Sequence, residues 1–214
     1  MKKTIIISNL KIATSAYVLS FKRDFEFLPG QVIGISNSPE GAPRLYSIAS
    51  GNKEDEIRIL YDIKEGGQLT PWLAKRNSSD IIFITKASGN FISEMNENAY
   101  LIASGTGVAP FASMFFSGNY RNKQLIHGGK FLESFYFGDE FKETLGENYV
   151  RCCTRETGDG VFEGRLTNYL REKDDLNPAY KYYLCGSAEM VVETRDIILS
   201  KGIPFENIIG EIYF

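Results

Sequence analysis

Short apolar runs separated by turn residues characterise the first half of the chain. Isoleucine, valine, phenylalanine and tyrosine dominate these runs, and glycine, proline and asparagine stand between them. The runs lie at residues 5–7, 17–21, 31–35, 57–61 and 81–85. Closely spaced short strands without long helices between them are typical of antiparallel barrels. The pattern therefore predicts an antiparallel β-barrel domain over residues 1–97.

One short helix is predicted within this β-rich region. Thr70 has the side chain of a good N-cap, and Pro71 suits the first helical position. The helix is then expected to continue to Arg76. The polar residues 93–98 come after the last predicted strand, and we expect them to link the first domain to the second.

Strand-like apolar runs alternate with helical patterns from residue 98 to the end of the chain. Predicted strands cover residues 99–103, 123–127, 147–153 and 181–185, and predicted helices cover residues 110–117, 131–145, 164–172 and 187–200. This alternation indicates a parallel sheet flanked by helices. We therefore predict a Rossmann-like α/β domain over residues 98–214.

A glycine-rich turn joins the first predicted strand of this second domain to its first helix. Gly105 and Gly107 permit backbone angles and close approaches that a Cβ would block, and Pro110 suits the first turn of a helix. Such a turn directs N–H groups and the positive end of a helix towards an anion, typically a dinucleotide pyrophosphate. Gly105, Thr106, Gly107 and Pro110 are therefore candidate cofactor-binding residues, although simple chain reversal also uses glycine turns.

Five further motifs accompany this turn in a fixed order. They are Arg44–Ser50 before it, and Cys152–Glu156, Gly164–Arg165, Tyr183–Ser187 and Glu211–Phe214 after it. An ordered set of motifs is much more specific than any one of them. The set resembles the ferredoxin–NADP⁺ reductase family, and most of all its short bacterial ferredoxin/flavodoxin reductases, over nearly the whole chain.

The resemblance implies that the first domain binds FAD. Arg44 and Tyr46 share one face of a strand, where the arginine can clamp phosphate oxygens and the tyrosine can stack on the flavin ring. Ser47 is implied to hydrogen-bond near flavin N5 and is a candidate catalytic residue. The loop implied to hold the FAD pyrophosphate contains Gly66, Gly67, Leu69 and Thr70. The alternatives are a surface arginine beside a core tyrosine, and an ordinary glycine turn with a helix cap.

The second domain is implied to bind NADP(H). Thr154 and Arg155 follow a predicted strand, and Arg165 comes ten residues after Arg155. In the family, arginines at the matching positions hold the 2′-phosphate of NADP, which implies a preference for NADPH over NADH. The alternative is that both arginines are solvated surface residues.

Residues near the end of the chain complete the candidate site. The resemblance places Cys185 and Gly186 beside the flavin and the nicotinamide, with Cys185 packing there rather than acting as a nucleophile. Glu211 is implied to position the nicotinamide or relay a proton, which makes Cys185 and Glu211 candidate catalytic residues. Tyr213 and Phe214 belong to a tail that covers either the flavin ring or the adenine, and both placements remain open. The alternatives are a buried cysteine at the end of a core strand, and an ordinary last strand.

Composition narrows the classes of function. A net charge of −3 without a dense basic run argues against nucleic-acid binding. No segment has the length of a membrane span, and the N-terminal apolar run lacks a signal-peptide cleavage pattern. Three cysteines favour a reducing cytoplasm and are too few to ligate an iron–sulfur cluster. The single histidine, His127, is interpreted as structural, and neither a metal site nor a hydrolase triad is predicted.

Taken together, the resemblance implies an enzyme that transfers electrons between NADPH and a separate soluble carrier, ferredoxin or flavodoxin. Hydride transfer to FAD N5 would precede single-electron steps to the carrier. One alternative is an FAD-dependent reductase subunit of an oxygenase or a larger electron-transfer complex. Another is a flavin-binding module that does not turn over.

Overall fold

The computed structural model describes residues 1–213, which form two compact units. The first unit contains residues 1–93 and 109–118, and the second contains residues 94–108 and the chain from Asn119 onwards. The helix that follows the glycine turn therefore groups with the first unit. The domain boundary between residues 97 and 98 stays a prediction. Among residues 1–213, no helix is long and apolar enough to cross a membrane.

Antiparallel strands build the first unit. Its strands are β1 (Lys2–Lys11), β2 (Ala16–Lys22), β3 (Val32–Ser36), β4 (Arg44–Ser47), β5 (Glu56–Asp62) and β6 (Ile81–Ile84). Their order across the sheet is β4-β3-β6-β1-β2-β5. A bridge between Ile48 and Ile59 joins the two edge strands, where the Ala49 N–H donates to the Arg58 carbonyl at 2.8 Å. The predicted barrel is confirmed as a barrel-like sheet that is not closed by a continuous ladder.

Alternate residues along these strands fill the core of the first unit. Ile57, Ile59 and Tyr61 of β5 are almost fully buried and belong to the same apolar cluster as Leu19 and Phe21 of β2. Burying a large apolar side chain contributes roughly 1.5–3 kcal/mol. Because successive side chains of a strand point to opposite faces of the sheet, this alternation determines which side chains face the interior and which stay on the surface.

A five-residue helix, α1 (Leu69–Leu73), lies between β5 and β6. The prediction that Thr70 is its N-cap is wrong, because the helix begins at Leu69, two residues before the predicted start at Pro71, and Gln68 stands at the cap position. The Thr70 hydroxyl instead accepts a hydrogen bond from the Lys64 N–H at 2.8 Å. A threonine hydroxyl can accept a hydrogen bond from a backbone N–H outside its own helix. Here the bond from Lys64 holds the loop that precedes the helix.

Asn9 of β1 holds the end of this helix. Its Nδ2 donates to the carbonyl oxygens of Leu73 and Arg76, at 2.8 and 3.0 Å, and its Oδ1 accepts from the Tyr61 hydroxyl at 3.0 Å. The last carbonyls of a helix lack partners within the helix, so a side-chain amide can satisfy them. The Asn9 side chain thereby ties α1 to two strands of the sheet.

Parallel strands build the second unit. They are β7 (Ala99–Ser104), β8 (Lys123–Gly129), β9 (Tyr149–Cys153), β10 (Val161–Glu163), β11 (Lys181–Ser187) and β12 (Ile208–Tyr213), in the order β10-β9-β8-β7-β11-β12. The strand order reverses between β7 and β11, and ligands of parallel α/β sheets bind beyond the strand ends at such a switch point. The four predicted strands all occur. The sequence pattern does not predict β10, whose three residues are too few to show a period, and it gives β12 only as the alternative to a cofactor-covering tail.

Four longer helices occur in residues 1–213, each within or close to one of the four predicted helices. They are α2 (Ala109–Phe116), α3 (Gly138–Leu145), α4 (Leu166–Glu172) and α5 (Ala188–Ser200). The prediction of one helix over residues 131–145 is wrong in its first half. Phe137 adopts a left-handed φ of +59°, which interrupts the helical backbone, and residues 132–134 form a separate 3-10 turn.

Replacing Asn9 by leucine is expected to lower the free energy of unfolding by about 2–3 kcal/mol, because buried carbonyls and a tyrosine hydroxyl lose their partner. Tyr61→Phe removes one of the three hydrogen bonds and is expected to cost about 1 kcal/mol. Urea unfolding of the two variants beside the parent protein measures both values. Equal costs for the two substitutions would contradict the role assigned to the Asn9 amide.

Candidate functional site

Strand β4 presents a cation beside an aromatic ring. Arg44 is exposed, Tyr46 is half-buried and Ser47 is buried. The Tyr46 ring meets Tyr61 edge-on at a centroid distance of 6.4 Å, and Tyr61 stacks on Tyr17 at 5.5 Å. Burial raises the pKa of Tyr46 to about 12, although the nearby Arg44 guanidinium opposes the rise. The phenol is therefore neutral at neutral pH, and its ring is supported from behind by other aromatic rings.

The loop before α1 is a folded turn of the first unit. The Gly67 N–H donates to the Lys64 carbonyl at 2.9 Å, and the Thr70 hydroxyl accepts from the Lys64 N–H. Gly66 has a φ of +71°, and Leu69 packs against the core. The hydrogen bonds of Lys64 with Gly67 and Thr70 thus hold the backbone of the turn in place, with Gly66 exposed and Gly67 half-buried.

The glycine turn of the second unit packs on the end of β11. Residues 105–108 form a 3-10 turn directly after β7. A Cβ on Gly107 would lie 2.3 Å from the Cys185 carbonyl oxygen, and a Cβ on Gly186 would lie 2.3 Å from Ser104 Oγ. These approaches are possible only for glycine. Two motifs separated by about eighty residues of sequence therefore meet backbone to backbone.

His127 lies beneath this turn, although the sequence analysis assigned it no part in the site. The ring is fully buried, with Nε2 3.3 Å from the Gly105 carbonyl oxygen and Nδ1 3.2 Å from the Tyr149 hydroxyl. Burial lowers the pKa of His127 to about 4, against the opposing hydrogen bond with Gly105. In the neutral ring Nε2 donates to Gly105, and Nδ1 accepts from Tyr149. The position of this histidine at the end of a buried strand before two glycines was the signal available in the sequence.

The remaining residues of the turn are placed as expected for a strand-to-helix connection. Thr106 is half-buried within the 3-10 turn. Pro110 is the second residue of α2 and is buried. Proline is tolerated there because the first N–H groups of a helix have no helical partner.

Cys185 stands next to the C-terminal strand. The parallel register places it opposite Glu211, and Ser187 opposite Tyr213. Burial raises the pKa of Cys185 well above its usual value, the Glu211 carboxylate adds to the rise, and a hydrogen bond with Tyr213 opposes it. The thiol is therefore neutral and is not an activated nucleophile, as the sequence analysis expected. Phe214 lies outside the described residues.

An open groove of about 710 Å³ lies at the ends of β9 and β10. Thr154, Arg155, Glu163 and Gly164 are among the residues that line it. The Thr154 and Arg155 N–H groups donate to the carbonyls of Gly129 and Lys130, at 3.2 and 3.0 Å, which holds this segment beside β8. Both side chains are exposed. The residues that line the groove thus include the hydroxyl of Thr154, the guanidinium of Arg155 and the carboxylate of Glu163.

Arg165 follows Gly164 and is engaged elsewhere. It stands at the N-cap position of α4, and its guanidinium forms salt bridges with Glu189 at 3.0 Å and Glu193 at 2.8 Å. The resemblance implied that Arg155 and Arg165 hold one phosphate together. The structure gives the two side chains different surroundings, because Arg155 lines the groove and Arg165 is bonded to carboxylates of α5.

Comparisons with known proteins identify oxidoreductases that are similar to this chain. The family model "Oxidoreductase NAD-binding domain" matches residues 101–196. Ferredoxin–NADP reductase from Pseudomonas aeruginosa is 28% identical, over 86% of this chain and 83% of its own length. The electron transfer component of toluate 1,2-dioxygenase from Pseudomonas putida is 26% identical, over 94% of this chain and 64% of its own length.

A solved structure shares the fold. The crystal structure of a ferredoxin NADP⁺ reductase from Neisseria gonorrhoeae with bound FAD and NADP matches this chain with a TM-score of 0.91. The identity is 22%, and the match covers 100% of this chain and 98% of that protein. The predicted fold class, an antiparallel barrel-like sheet followed by a Rossmann-like parallel sheet, is thereby confirmed.

Gly107→Ala is expected to lower the free energy of unfolding by about 1–3 kcal/mol, since its Cβ would clash with a backbone carbonyl that cannot rotate away. Gly138→Ala is the matched control, because a Cβ there meets its nearest atoms at 3.4 Å, an ordinary contact. Alanine at that first position of α3 should stabilise by about 0.4–1 kcal/mol or leave stability unchanged. Denaturant unfolding measures both, and unchanged stability of Gly107→Ala would refute the backbone contact.

Stability should fall in acid because of His127. The imidazole of the unfolded chain binds a proton below its ordinary pKa of 6.5, whereas the buried ring resists protonation until about pH 4. The stabilisation is therefore complete above pH 6.5 and is lost as the pH falls towards 4. Between pH 7 and pH 5 the loss should be about 2 kcal/mol.

Urea unfolding at pH 7 and pH 5 isolates this effect. His127→Gln should remove about 2 kcal/mol of the pH dependence, because the amide does not titrate. Tyr149→Phe is the control, since it removes one hydrogen bond of the ring but keeps the titrating imidazole. An unchanged pH dependence in His127→Gln would show that the histidine is not the responsible group.

Proposed function

Because this chain resembles ferredoxin–NADP⁺ reductases over most of its length, we propose that it is an FAD-dependent oxidoreductase that exchanges electrons between NADP(H) and a one-electron carrier. The observation that carries the proposal is the backbone contact between the glycine turn and Cys185–Gly186, which unites two motifs of the family in one place. The bound flavin would supply the conversion between a two-electron hydride donor and single electrons. The protein residues supply binding, orientation and a controlled electrostatic environment.

The residues of the first unit suit a flavin dinucleotide. Tyr46 offers a neutral aromatic face that Tyr61 supports, and Arg44 adds an exposed cation on the same side of β4. We assign Arg44 to the phosphate, Tyr46 to the flavin ring and Ser47 to the flavin edge near N5. The fixed turn before α1 suits the pyrophosphate, with Gly66, Gly67, Leu69 and Thr70 as its residues, since glycines let phosphate oxygens approach the backbone.

The residues of the second unit suit NADP(H). A Cβ on Gly105 would meet no atom within 4 Å among the described residues, so the backbone there is open to a pyrophosphate. We assign Gly105, Thr106, Gly107 and Pro110 to that group. Thr154 and Arg155 line the groove, and an exposed guanidinium is well matched to a 2′-phosphate.

Cys185 and Glu211 are proposed to act next to the nicotinamide. A buried neutral thiol excludes water from its surroundings without competing as a nucleophile, and Gly186 lets the chain approach the turn. Glu211 lies beside Cys185 in the sheet and is proposed to orient the nicotinamide or hold a proton there. Tyr213, two residues after Glu211 in β12, is proposed to cover either the flavin ring or the adenine.

The carrier is proposed to be a separate ferredoxin or flavodoxin, and the compartment to be the cytoplasm. A second candidate function is a reductase subunit of an oxygenase. The match to the toluate 1,2-dioxygenase component favours it, because that match covers 94% of this chain. Reduction of added ferredoxin by NADPH with this chain alone would favour the first function, and turnover only with a co-purifying oxygenase would favour the second.

Anaerobic titration of the FAD-loaded protein tests the proposal. NADPH should bleach the visible flavin absorption at a much lower concentration than NADH. Arg155→Ala should raise the NADPH concentration required by about tenfold or more, because a charge-assisted hydrogen bond is worth about 1.5–3 kcal/mol, and should leave NADH unchanged. Arg195→Ala removes the same charge from an arginine that pairs with Asp196, and it is the control.

Each alternative result has a distinct meaning. Equal weakening of NADPH and NADH in Arg155→Ala would keep the reductase but remove Arg155 from the 2′-phosphate. Bound FAD that neither nucleotide bleaches would overturn the proposed reaction in favour of a flavin-binding module without turnover.

A further inference from the structure

A closed network of charges surrounds Arg165. Arg165 Nη2 lies 3.0 Å from Glu189 Oε1 and 2.8 Å from Glu193 Oε2. The other oxygen of Glu193 lies 2.7 Å from Nη2 of Arg171. Glu189 and Glu193 are four residues apart on α5, so they face the same way along that helix. Two carboxylates therefore hold one guanidinium and link it to a second.

The network has no net charge to offer an anion, since two arginines meet two glutamates. Glu193 is its more enclosed acid, with 24% of its side chain exposed, whereas Glu189 is 78% exposed. The hydrogen bond from Arg171, with smaller help from Thr167 and Arg165, holds the pKa of Glu193 below its ordinary value. The bond between Arg165 and Glu193 thus persists at neutral pH, and the more exposed Glu189 is the partner that exchanges more easily with water.

Arg155 differs from Arg165 in this respect. It lines the groove, and within residues 1–213 no salt bridge engages it. A phosphate in the groove would meet the Arg155 charge directly. Both carboxylates bond to Nη2 of Arg165, so its other nitrogens keep N–H donors, but the two negative charges beside it would offset its attraction for a phosphate.

We propose that Glu189 and Glu193 set how strongly this protein prefers a 2′-phosphorylated adenine nucleotide, by competing with the phosphate for Arg165. The inference rests on the proposed function and names the residues that limit its nucleotide preference. Arg155 then provides most of the discrimination in the native protein. Arg165 contributes fully only when one of its carboxylate partners is neutralised.

Binding of 2′,5′-ADP and 5′-AMP by isothermal titration calorimetry tests the proposal without turnover. Glu189→Gln should tighten 2′,5′-ADP about two- to fivefold at low salt, the range expected for one exposed ion pair, and should leave 5′-AMP unchanged. Asp196→Asn is the matched control, because it removes one negative charge about 10 Å further along α5, where Asp196 pairs with Arg195. It should change neither affinity by more than about 1.5-fold.

The double variant Glu189→Gln/Arg165→Ala separates a local effect from a general one. The gain should vanish in it, whereas a gain that persists without Arg165 would overturn the proposal. An unchanged or weaker 2′,5′-ADP affinity in Glu189→Gln would also overturn it. If the parent protein is folded by circular dichroism but neither the parent nor Glu189→Gln binds either nucleotide, both this inference and the proposed function fail. If the parent binds 2′,5′-ADP and its flavin is bleached by NADPH, a failure in Glu189→Gln leaves the proposed function standing.

Discussion

The second unit depends on a contact between backbones that leaves no room for a Cβ. Gly107 lies against the Cys185 carbonyl, and Gly186 lies against the Ser104 side chain, where β7 and β11 run side by side in register. This is the point at which the strand order of the parallel sheet reverses. Because glycines occupy the contact, the turn can follow the strand closely and expose its own backbone rather than side chains. A pyrophosphate needs that kind of surface.

Burial then decides which groups in this region carry charge. His127 and Cys185 are both enclosed, and for each the cost of desolvating the charged form keeps the group neutral at neutral pH. The neutral imidazole donates a hydrogen bond to the Gly105 carbonyl and thereby holds the glycine turn against the buried strand. The exposed groove instead carries polar side chains, with Arg155 and Glu163 among the residues that line it. The interior of the unit therefore determines the shape of the turn, and we propose that the exposed residues of the groove determine which nucleotide is preferred.

The sequence predicted the fold correctly where a repeating pattern of apolar residues or an ordered set of motifs was present. The predicted strands of both units occur, because alternating or continuous apolar runs report burial directly. It failed where one side chain has two possible partners or one residue takes an unusual backbone angle. Thr70 bonds to Lys64 rather than to its helix, and Phe137 interrupts the segment predicted as one helix. Neither event changes the hydrophobic pattern, so no periodic signal could reveal it.

For Arg155 and Arg165, too, the sequence does not predict which partners the side chains bond to. A sequence records that Arg155 and Arg165 both carry a charge, but a phosphate responds to the charge that remains after the neighbours have bonded to it. The neighbours of Arg165 are glutamates 24 and 28 positions away, brought close by the packing of α5 beside α4. Under the proposed competition, Arg155 and Arg165 contribute differently to phosphate binding although the residue type is the same. The acidic residues of α5 are then as informative about the nucleotide preference of this chain as the arginines themselves.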